Sequence, residues 1–391
     1  MRAGIDKRAM TLLASGHLGT DFANGALPAL LPFLVDRFGL TYTLAATLML
    51  ASTVSSSVVQ PLFGLWSDRR GAIWLLPLGV GVAGVGIALA ADAPSYSSCL
   101  LLVVLSGIGV AAYHPEGSKF AAYASGRRRA SGMSAFSVGG NVGFALGPIL
   151  ATPLVVAFGP RGGLLLALPC LAIAGALVVG TRFLGSFVPE RPGDGADAQG
   201  RDRRGAMALL LGVIAFRSLA WFGLITFVPL WEVSLGHSKA HGNHLLALML
   251  LAGGIGTVFA GPAADRIGRR PILLGSLVAT APLIAFFITF GGIPGAVALM
   301  LVGACVIGTF GVTMVMSQEY LPQHIGMASG LAVGLSIGLG GIAAVALGAL
   351  ADAVDLRAAL WVCAAAPLAA LALGVLLPSS TTRRRLEPAV S

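Results

Sequence analysis

The sequence GLWSDRRG, Gly64 to Gly71, returns 197 positions later as GPAADRIG, Gly261 to Gly268. In each copy an Asp-Arg pair lies between two glycines, and the same offset aligns a proline and a glycine upstream. The aligned pairs are Gly64 with Gly261, Asp68 with Asp265, Arg69 with Arg266, Gly71 with Gly268, Pro32 with Pro229, and Gly39 with Gly236. Several matches at a single offset indicate that the chain contains two related halves that follow one another in parallel.

The composition around this repeat is that of an integral membrane protein. Of the 391 residues, 56% are hydrophobic and 10% are charged, whereas soluble domains carry about 25% charged residues. A net charge of +9 would suggest nucleic acid binding in a soluble protein, but membrane topology explains it better here. We expect free thiols from the four cysteines, which lie in apolar segments: Cys99, Cys170, Cys305 and Cys363.

Apolar windows of about 20 residues, the length that crosses a bilayer, define the predicted spans. Twelve such windows cover residues 11–36, 42–66, 72–91, 98–124, 131–157, 163–186, 206–235, 243–264, 271–291, 295–321, 326–351 and 356–378. We therefore predict an all-α membrane protein with six-helix bundles at 1–186 and 206–378. Between them, residues 187–205 read as a flexible linker because they are polar and rich in glycine and arginine. Residues 379–391 form a predicted tail.

The basic residues predict the orientation of these spans. Most of the 25 lysines and arginines fall on the side that holds both termini. The other side receives only Arg37, Arg161, Lys239 and Arg357, and two basic residues, Lys119 and Arg217, lie within spans. Since cytoplasmic loops carry the excess of basic residues, we expect both termini in the cytoplasm.

Two parallel halves of six spans are the architecture of major facilitator transporters. The repeated loops resemble the signature of that superfamily, and the second copy is closer to it because Arg70 replaces a usually apolar residue in the first. An aspartate at this place can cap the next helix or pair with arginines of the other half. We predict a cytoplasmic latch that includes Asp68, Arg69, Asp265, Arg266, Arg269 and Glu319. The basic residues of the loops are alternatively explained by positive-inside topology alone, without a latch. Glu319 alternatively lies in the cavity.

Five longer stretches resemble the fosmidomycin-resistance proteins of this superfamily. They are HLGTDFANGALPALLPFL, QPLFGLWSDR, YHPEGSKFAAYASG, FSVGGNVGFALGPIL and QEYLPQHIGMASGLAVGLSIGLGG. The resemblance implies a drug exporter of the bacterial inner membrane that is energised by proton antiport. It covers nearly the whole chain. The GxxxGP stretch from Gly143 to Pro148, with Asn141 beside it, is similar to an antiporter motif, although small-residue spacing is also explained by helix packing.

Ionisable residues within the spans are the candidate transport residues, because charges in hydrocarbon are costly. Asp21 lies near the middle of span one, on one face with His17 and Asn24. Arg217 lies at nearly the same depth in span seven, so we predict that Asp21 and Arg217 meet across the central cavity. Trp221 lies close to Arg217 on the same predicted helix, and we include it among the substrate contacts.

A second charged group lies in span four, in the sequence GIGVAAYHPEGSKF from Gly107 to Phe120. Glu116 and Lys119 are three residues apart and share a helix face, so they either form a structural pair or act in transport. Pro115 removes a backbone hydrogen bond beside them. For the proton-coupling carboxylate we favour Glu116, held by Lys119, over Asp21. The predicted substrate-binding residues are His17, Asn24, His114, Lys119, Asn141, Arg217 and Trp221.

The histidines divide into two groups. His17 and His114 lie within spans and have either a functional or a packing role. By contrast, His237, His241 and His244 cluster in an outer loop at spacings that could suit a metal. Because no acidic or cysteine residue is adjacent in the sequence, a solvated loop without metal is the expected state.

We weigh three functions on these residues. A proton-coupled exporter of small, anionic or amphipathic drugs, acting as a monomer without nucleic acid, is favoured. An importer or facilitator of a small organic anion is the alternative, supported by Arg217 and Lys119. A membrane enzyme is the weakest, because the sequence shows no catalytic triad order and indicates no cofactor. Fold alone does not separate export from import.

Overall fold

The computed structural model describes residues 4–70, 72–126, 128–187 and 201–378. Fourteen α-helices and two short 3-10 helices account for the regular structure of these residues. The first half contains α1 (Lys7–Phe38), α2 (Tyr42–Val58), α3 (Gln60–Arg70), α4 (Leu75–Ala91), α5 (Tyr96–Ala124), α6 (Arg129–Phe158), a 3-10 helix (Pro160–Leu166) and α7 (Ala167–Leu184). The second half contains α8 (Arg204–Ser234), α9 (Lys239–Ile267), α10 (Arg269–Phe290), α11 (Gly292–Gly308), α12 (Phe310–Tyr320), a 3-10 helix (Pro322–His324), α13 (Ile325–Ala353) and α14 (Leu356–Gly374).

The predicted multi-span architecture is confirmed. Within the described residues, 11 helical segments are long and apolar enough to cross a membrane, and α4, with 17 residues, is a shorter apolar helix at the predicted third span. Helices α2 and α3 together form the second span, and α11 and α12 form the tenth. We call the side where α1 begins the terminal side of the membrane, and the opposite side the distal side.

Helices α1 and α6 pack closely through glycines. A Cβ atom on Gly25 would lie 2.0 Å from the carbonyl oxygen of Phe144, and one on Gly143 would lie 2.1 Å from that of Leu18. Similarly, Gly147 packs against the backbone of Gly25. Only small residues permit helix backbones to approach so closely. The GxxxGP stretch therefore has a packing role in this structure, and it fixes α6 beside the middle of α1.

The two halves are joined on the distal side by a carboxylate at a helix N-terminus. Asp352, near the end of α13, accepts hydrogen bonds from the backbone N–H groups of Tyr42 and Thr43 at 2.7 and 2.9 Å. Its Oδ2 also accepts from the Thr43 hydroxyl at 2.6 Å. A carboxylate is favoured there by the unpaired N–H groups and the dipole of α2. This contact holds α13 against α2.

Helix α9 supplies two further distal contacts between the halves. The buried Asn243 donates to the carbonyl oxygen of Ala29 at 2.9 Å and to the hydroxyl of Thr152 at 2.8 Å. One turn earlier, Lys239 forms an ion pair with Asp36 at the end of α1. The distal ends of α1, α6 and α9 are thus tied together.

The end of the predicted linker is attached to the second half. The Arg203 N–H donates to the carbonyl oxygen of Tyr320 at 2.7 Å. The Asp202 carboxylate accepts from His324 Nδ1 at 2.6 Å and from the Gln323 N–H at 3.2 Å. Residues 202 and 203 belong to the segment 187–205 that was predicted to be a flexible linker. In the structure these contacts hold both residues against the second half. Residues 188–200 and the tail 379–391 lie outside the described residues.

Candidate functional site

Asp21 lies between two histidines near the middle of α1. Its Oδ2 is 3.3 Å from His17 Nε2 on the same helix, and its Oδ1 is 3.4 Å from His114 Nε2 on α5. The three side chains retain 13–23% of their exposure. The imidazole rings meet edge to face with centroids 5.1 Å apart. We call these residues the His17–Asp21–His114 triad.

The other nitrogen of each imidazole fixes the ring tautomer. His17 Nδ1 lies 2.8 Å from the carbonyl oxygen of Phe136, and His114 Nδ1 lies 2.9 Å from that of Val110. A carbonyl oxygen only accepts, so each Nδ1 carries the hydrogen. In its neutral form each ring then presents an unprotonated Nε2 to Asp21. Acceptors that face each other repel unless a proton or a cation lies between them, which makes the triad a candidate proton-binding group.

Space for the triad depends on two residues of α6 that sequence reasoning missed. A Cβ atom on Gly140 would lie 2.6 Å from both Asp21 Oδ2 and His17 Nε2, so any side chain there displaces the triad. The Phe136 ring stacks on His17 with centroids 4.2 Å apart. The only sequence signal was the Gly-Gly pair directly before Asn141. Glycine inside a membrane helix is common enough that this signal alone does not identify a site.

Glu116 and Lys119 form the pair that their spacing predicted. Lys119 Nζ lies 2.7 Å from Glu116 Oε2, and the Glu116 side chain is 1% exposed whereas that of Lys119 is 22% exposed. The pair lies on α5, which contains Pro115 and also carries His114. Lys119 thus supplies a counter-charge to a buried carboxylate.

Arg217 is the buried cation of the second half. It is 4% exposed and donates to the hydroxyls of Thr309 at 3.2 Å and Thr313 at 3.3 Å. Its guanidinium carbon lies 6.0 Å from the centroid of the Phe310 ring. No carboxylate of the described part of the chain forms an ion pair with it. The predicted contact between Asp21 and Arg217 is therefore wrong for this structure, because each group has its partners within its own half.

The remaining predicted substrate contacts are distributed around these groups. Asn24 on α1 and Asn141 on α6 are half-buried. A Cβ atom on Gly254 of α9 would lie 3.5 Å from Asn141 Cβ, so Asn141 marks a contact between the two halves. Trp221 is 8% exposed and packs in the hydrophobic core. Their roles in binding stay predictions.

Comparison with known proteins identifies the family. The profile of the Major Facilitator Superfamily matches residues 13–242 and again 210–391. The chain belongs to the major facilitator superfamily. It is 33% identical over 385 residues to the uncharacterized MFS-type transporter YfnC of Bacillus subtilis, covering 94% of this chain and 92% of that protein. It is also 30% identical over 377 residues to the fosmidomycin resistance protein of Escherichia coli, with the same coverages of 94% and 92%.

Solved structures of superfamily members share the fold. A bacterial homologue of the human lysosomal transporter Spinster, in an inward-facing and unoccupied conformation, superimposes with a TM-score of 0.73 at 14% identity, covering 95% of this chain and 94% of that one. A variant of the nucleoside transporter NupG gives a TM-score of 0.73 at 11% identity, with coverages of 94% and 99%. The protein is therefore a multi-pass membrane transporter of the major facilitator type.

The superfamily loop motif of the second half contacts its own half. Arg269 forms an ion pair with Glu319, and its other terminal nitrogen lies 3.9 Å from Asp265. Arg266 is exposed at the end of α9. The side chains of Asp68 and Arg69 lie outside the described part of the structure. Glu319 does pair with Arg269 as predicted, but α10 and α12 both belong to the second half. The described members therefore form an ion-pair group within one half, and their predicted bridge to the first half stays a prediction for the distally open state.

The sequence showed no acidic residue next to the outer histidines, but the fold brings one to them. Glu232, near the end of α8, lies 2.6 Å from His237 Nδ1 and 3.4 Å from His241 Nε2. The acidic partner is five and nine residues upstream, where the turn between α8 and α9 folds it back onto the histidines. His244 is exposed.

Proposed function

We propose that this transporter is a proton-coupled exporter of small molecules that works by alternating access in a bacterial inner membrane. The observation that carries the proposal is the His17–Asp21–His114 triad, a proton-holding group near the middle of the first half. Similarity to the fosmidomycin resistance protein over 94% of the chain supports export. The distribution of basic residues supports a cytoplasmic location for both termini.

Alternating access is supported by where the halves are tied. Asp352, Asn243 and Lys239 join them on the distal side. Meanwhile the triad, and Lys119 further along α5, retain partial exposure. This arrangement fits a state in which the distal side is closed and the central residues are reached from the terminal side. The distal contacts must break for the opposite state to form.

The buried charges support an anionic or amphipathic substrate. Arg217 is a guanidinium, and its hydrogen bonds within the described chain go only to neutral hydroxyls. A buried guanidinium without a counter-ion gains from an incoming carboxylate or phosphonate, which it can bind in a bidentate manner. Asn24, Asn141 and the more exposed Lys119 are proposed as additional polar contacts.

For proton coupling the geometry favours Asp21 over Glu116, which reverses the preference drawn from the sequence. Glu116 already has a cationic partner, because Lys119 Nζ lies 2.7 Å from its carboxylate. Asp21 faces two ring nitrogens that both become favourable partners on protonation. Substrate binding that alters the α1–α5 contact would change the number of protons held there.

The test uses everted membrane vesicles from cells that lack their main efflux pumps. After respiration acidifies the vesicle interior, an exported drug should enter the vesicles and collapse part of the pH gradient, as reported by a quenched acridine dye. Fosmidomycin is the first probe, followed by a panel of anionic and amphipathic antibiotics screened for resistance in expressing cells. If no compound in the panel gives resistance or collapses the gradient, the export proposal is wrong.

Import of a small organic anion is the second candidate, favoured by the uncompensated charge of Arg217. It predicts accumulation in whole cells instead of everted vesicles. Radiolabelled uptake of carboxylates and phosphonates in intact cells separates the two functions by the direction of net transport.

A further inference from the structure

A cluster of one carboxylate and two imidazoles lies on the distal side, away from the proposed transport site. The Glu232 side chain is 5% exposed, whereas those of His237 and His241 are 50% and 47% exposed. One ligand atom from each residue lies within 4.8 Å of the others. The two rings are tilted against each other with centroids 4.7 Å apart. The carboxylate of this cluster is therefore buried, whereas its two imidazoles are accessible to water.

The turn between α8 and α9 builds the cluster. Gly236 adopts a φ of 87°, which reverses the chain, and the His237 N–H donates to the carbonyl oxygen of Glu232 at 3.0 Å. Ser238 then caps α9 by accepting from the His241 N–H at 3.1 Å. Both histidines are consequently directed toward Glu232 by local backbone structure.

We propose that Glu232, His237 and His241 form a binding site for a divalent transition-metal ion such as Zn²⁺. Two imidazole nitrogens and one carboxylate oxygen are a common three-ligand set for zinc, with the fourth position left to water. Ligand bonds of about 2.0–2.1 Å in a tetrahedral site place the ligand atoms about 3.3 Å apart. The contact from His241 Nε2 to Glu232 Oε2 already has this length, at 3.4 Å. The 2.6 Å contact of His237 must lengthen by less than an ångström, which an exposed side chain permits.

The charges around the site allow a cation to bind. Lys239 lies between the two histidines in sequence, but its ammonium group is paired with Asp36 of the first half. Within the part of the chain that the structure describes, the two imidazoles are the only ion-pair partners of the buried Glu232 carboxylate. Binding of a dication therefore replaces the protons or hydrogen bonds that now compensate this carboxylate.

The bound metal ion would also act on the distal contacts between the halves. The turn that it crosslinks leads directly into Lys239 and Asn243, which both bind the first half. A metal ion across Glu232, His237 and His241 would hold the start of α9 in this geometry. Occupancy from the distal aqueous phase is thus expected to favour the distally closed state and to slow turnover.

Zinc binding by the purified full-length protein tests the site. The protein is prepared with a tag that contains no histidine, so that the tag does not bind metal. Isothermal titration with Zn²⁺ and the visible absorption of bound Co²⁺ report affinity and coordination geometry. We expect His237→Asn and His241→Asn each to weaken Zn²⁺ binding by about 100-fold or more, because loss of an outer-shell partner alone costs about 10- to 100-fold. Glu232→Gln tests the carboxylate with little change of shape.

Two matched controls make the result decisive. His244→Asn removes a neighbouring exposed histidine outside the cluster and should leave Zn²⁺ affinity unchanged. His17→Asn removes one imidazole from the His17–Asp21–His114 triad, which offers the same types of donor atom. This variant should also leave the Zn²⁺ affinity unchanged. Binding that survives His237→Asn and His241→Asn, or that is lost equally in either control, overturns the proposal. So does the absence of saturable Zn²⁺ binding to the unmodified chain. None of these outcomes bears on the proposed export function.

Discussion

The two halves share one architecture but carry different ionisable groups near the middle of their first helices, α1 and α8. In the first half, Asp21 lies between His17 and His114, all of which can gain or lose protons. In the second half, the Arg217 guanidinium donates hydrogen bonds to two threonine hydroxyls. The position 197 residues after Asp21 is Ser218, which exchanges a hydrogen bond with Ser336 at 2.7 Å. The repeat thus preserved the scaffold, while the central side chains of the two halves diverged into a carboxylate between two imidazoles and an arginine between two threonines.

The largest expected effect comes from neutralising Asp21, the carboxylate proposed for proton coupling. Asp21→Asn should reduce proton-driven transport in everted vesicles to background, because the triad then lacks the group whose charge changes. Substrate-for-substrate exchange should persist. Glu116→Gln is the paired control and should retain concentrative transport. If Glu116→Gln abolishes coupling while Asp21→Asn retains it, the proton site belongs to Glu116 and the proposed division between the halves fails.

Removal of the fixed cation should affect binding more than coupling. Arg217→Met is expected to weaken the affinity for an anionic substrate by about 10- to 100-fold, since hydrogen bonds to charged groups contribute about 1.5–3 kcal/mol. The thermal midpoint in detergent should not fall, because a buried unpaired charge is removed. Thr309 and Thr313 keep their hydroxyl bonds to the carbonyl oxygens of Cys305 and Phe310. A large loss of stability would show that Arg217 has a structural role instead.

A methyl group at Gly140 should disturb the proton-binding half alone. Gly140→Ala places a Cβ atom 2.6 Å from Asp21 Oδ2 and His17 Nε2, and overpacking of this kind costs about 1–3 kcal/mol. Proton-coupled transport should fall while substrate affinity changes little. Gly175→Ala on α7 is the matched control, because no atom lies within 4 Å of its added Cβ. Equal effects of the two substitutions would mean that the space beside Asp21 is unimportant.

A smaller effect is expected at the distal contact between the halves. Asp352→Asn retains some hydrogen bonding but loses the charge, and about 1–2 kcal/mol should shift the equilibrium toward the distally open state by about 5- to 30-fold. Cysteines placed at the distal ends of α2 and α13, in a background without the four native cysteines, should then be labelled faster. Asp355→Asn, which alters a cap of α14 within the second half, should leave labelling unchanged.

The smallest expected effect is the coupling between Asp21 and Arg217. Because each has partners within its own half, the stability changes of Asp21→Asn and Arg217→Met should add to within about 0.5 kcal/mol. Unfolding midpoints of the two single variants and the double variant measure this. A coupling energy well above that value would restore the direct contact that the sequence suggested.

The sequence was sufficient for the fold because hydropathy is a property of consecutive residues and the repeat is visible at a single fixed offset. The Glu116–Lys119 pair was also accessible, since both residues occupy one helix. By contrast, the contacts of His17 with Phe136 and of Arg217 with Thr309 join residues about a hundred positions apart, and no periodicity links them. Helix spacing places residues on a face but does not determine which distant helix that face meets.

The same limitation explains the errors about charges. Asp21 and Arg217 lie at similar predicted depths in the two halves, yet each has its partners within its own half. Asp352 resembles an ordinary residue at a helix end, but the N-terminus of α2 from the other half lies beside it. Likewise, Glu232 is close to His237 and His241 only because Gly236 reverses the chain.

Helix α1 packs against α6 through Gly25, Gly143 and Gly147, which we call the glycine seam. This seam restricts how the transporter can evolve. Every missense codon change at Gly25, Gly143 or Gly147 introduces at least a Cβ atom within 2.0–2.2 Å of a backbone atom across the seam. In a deep mutational scan these three positions should tolerate no replacement, whatever drug is used for selection. Adaptation to new substrates must then come from residues outside the seam, such as those around Arg217. The three seam positions should therefore remain glycine while the substrate preference changes elsewhere in the chain.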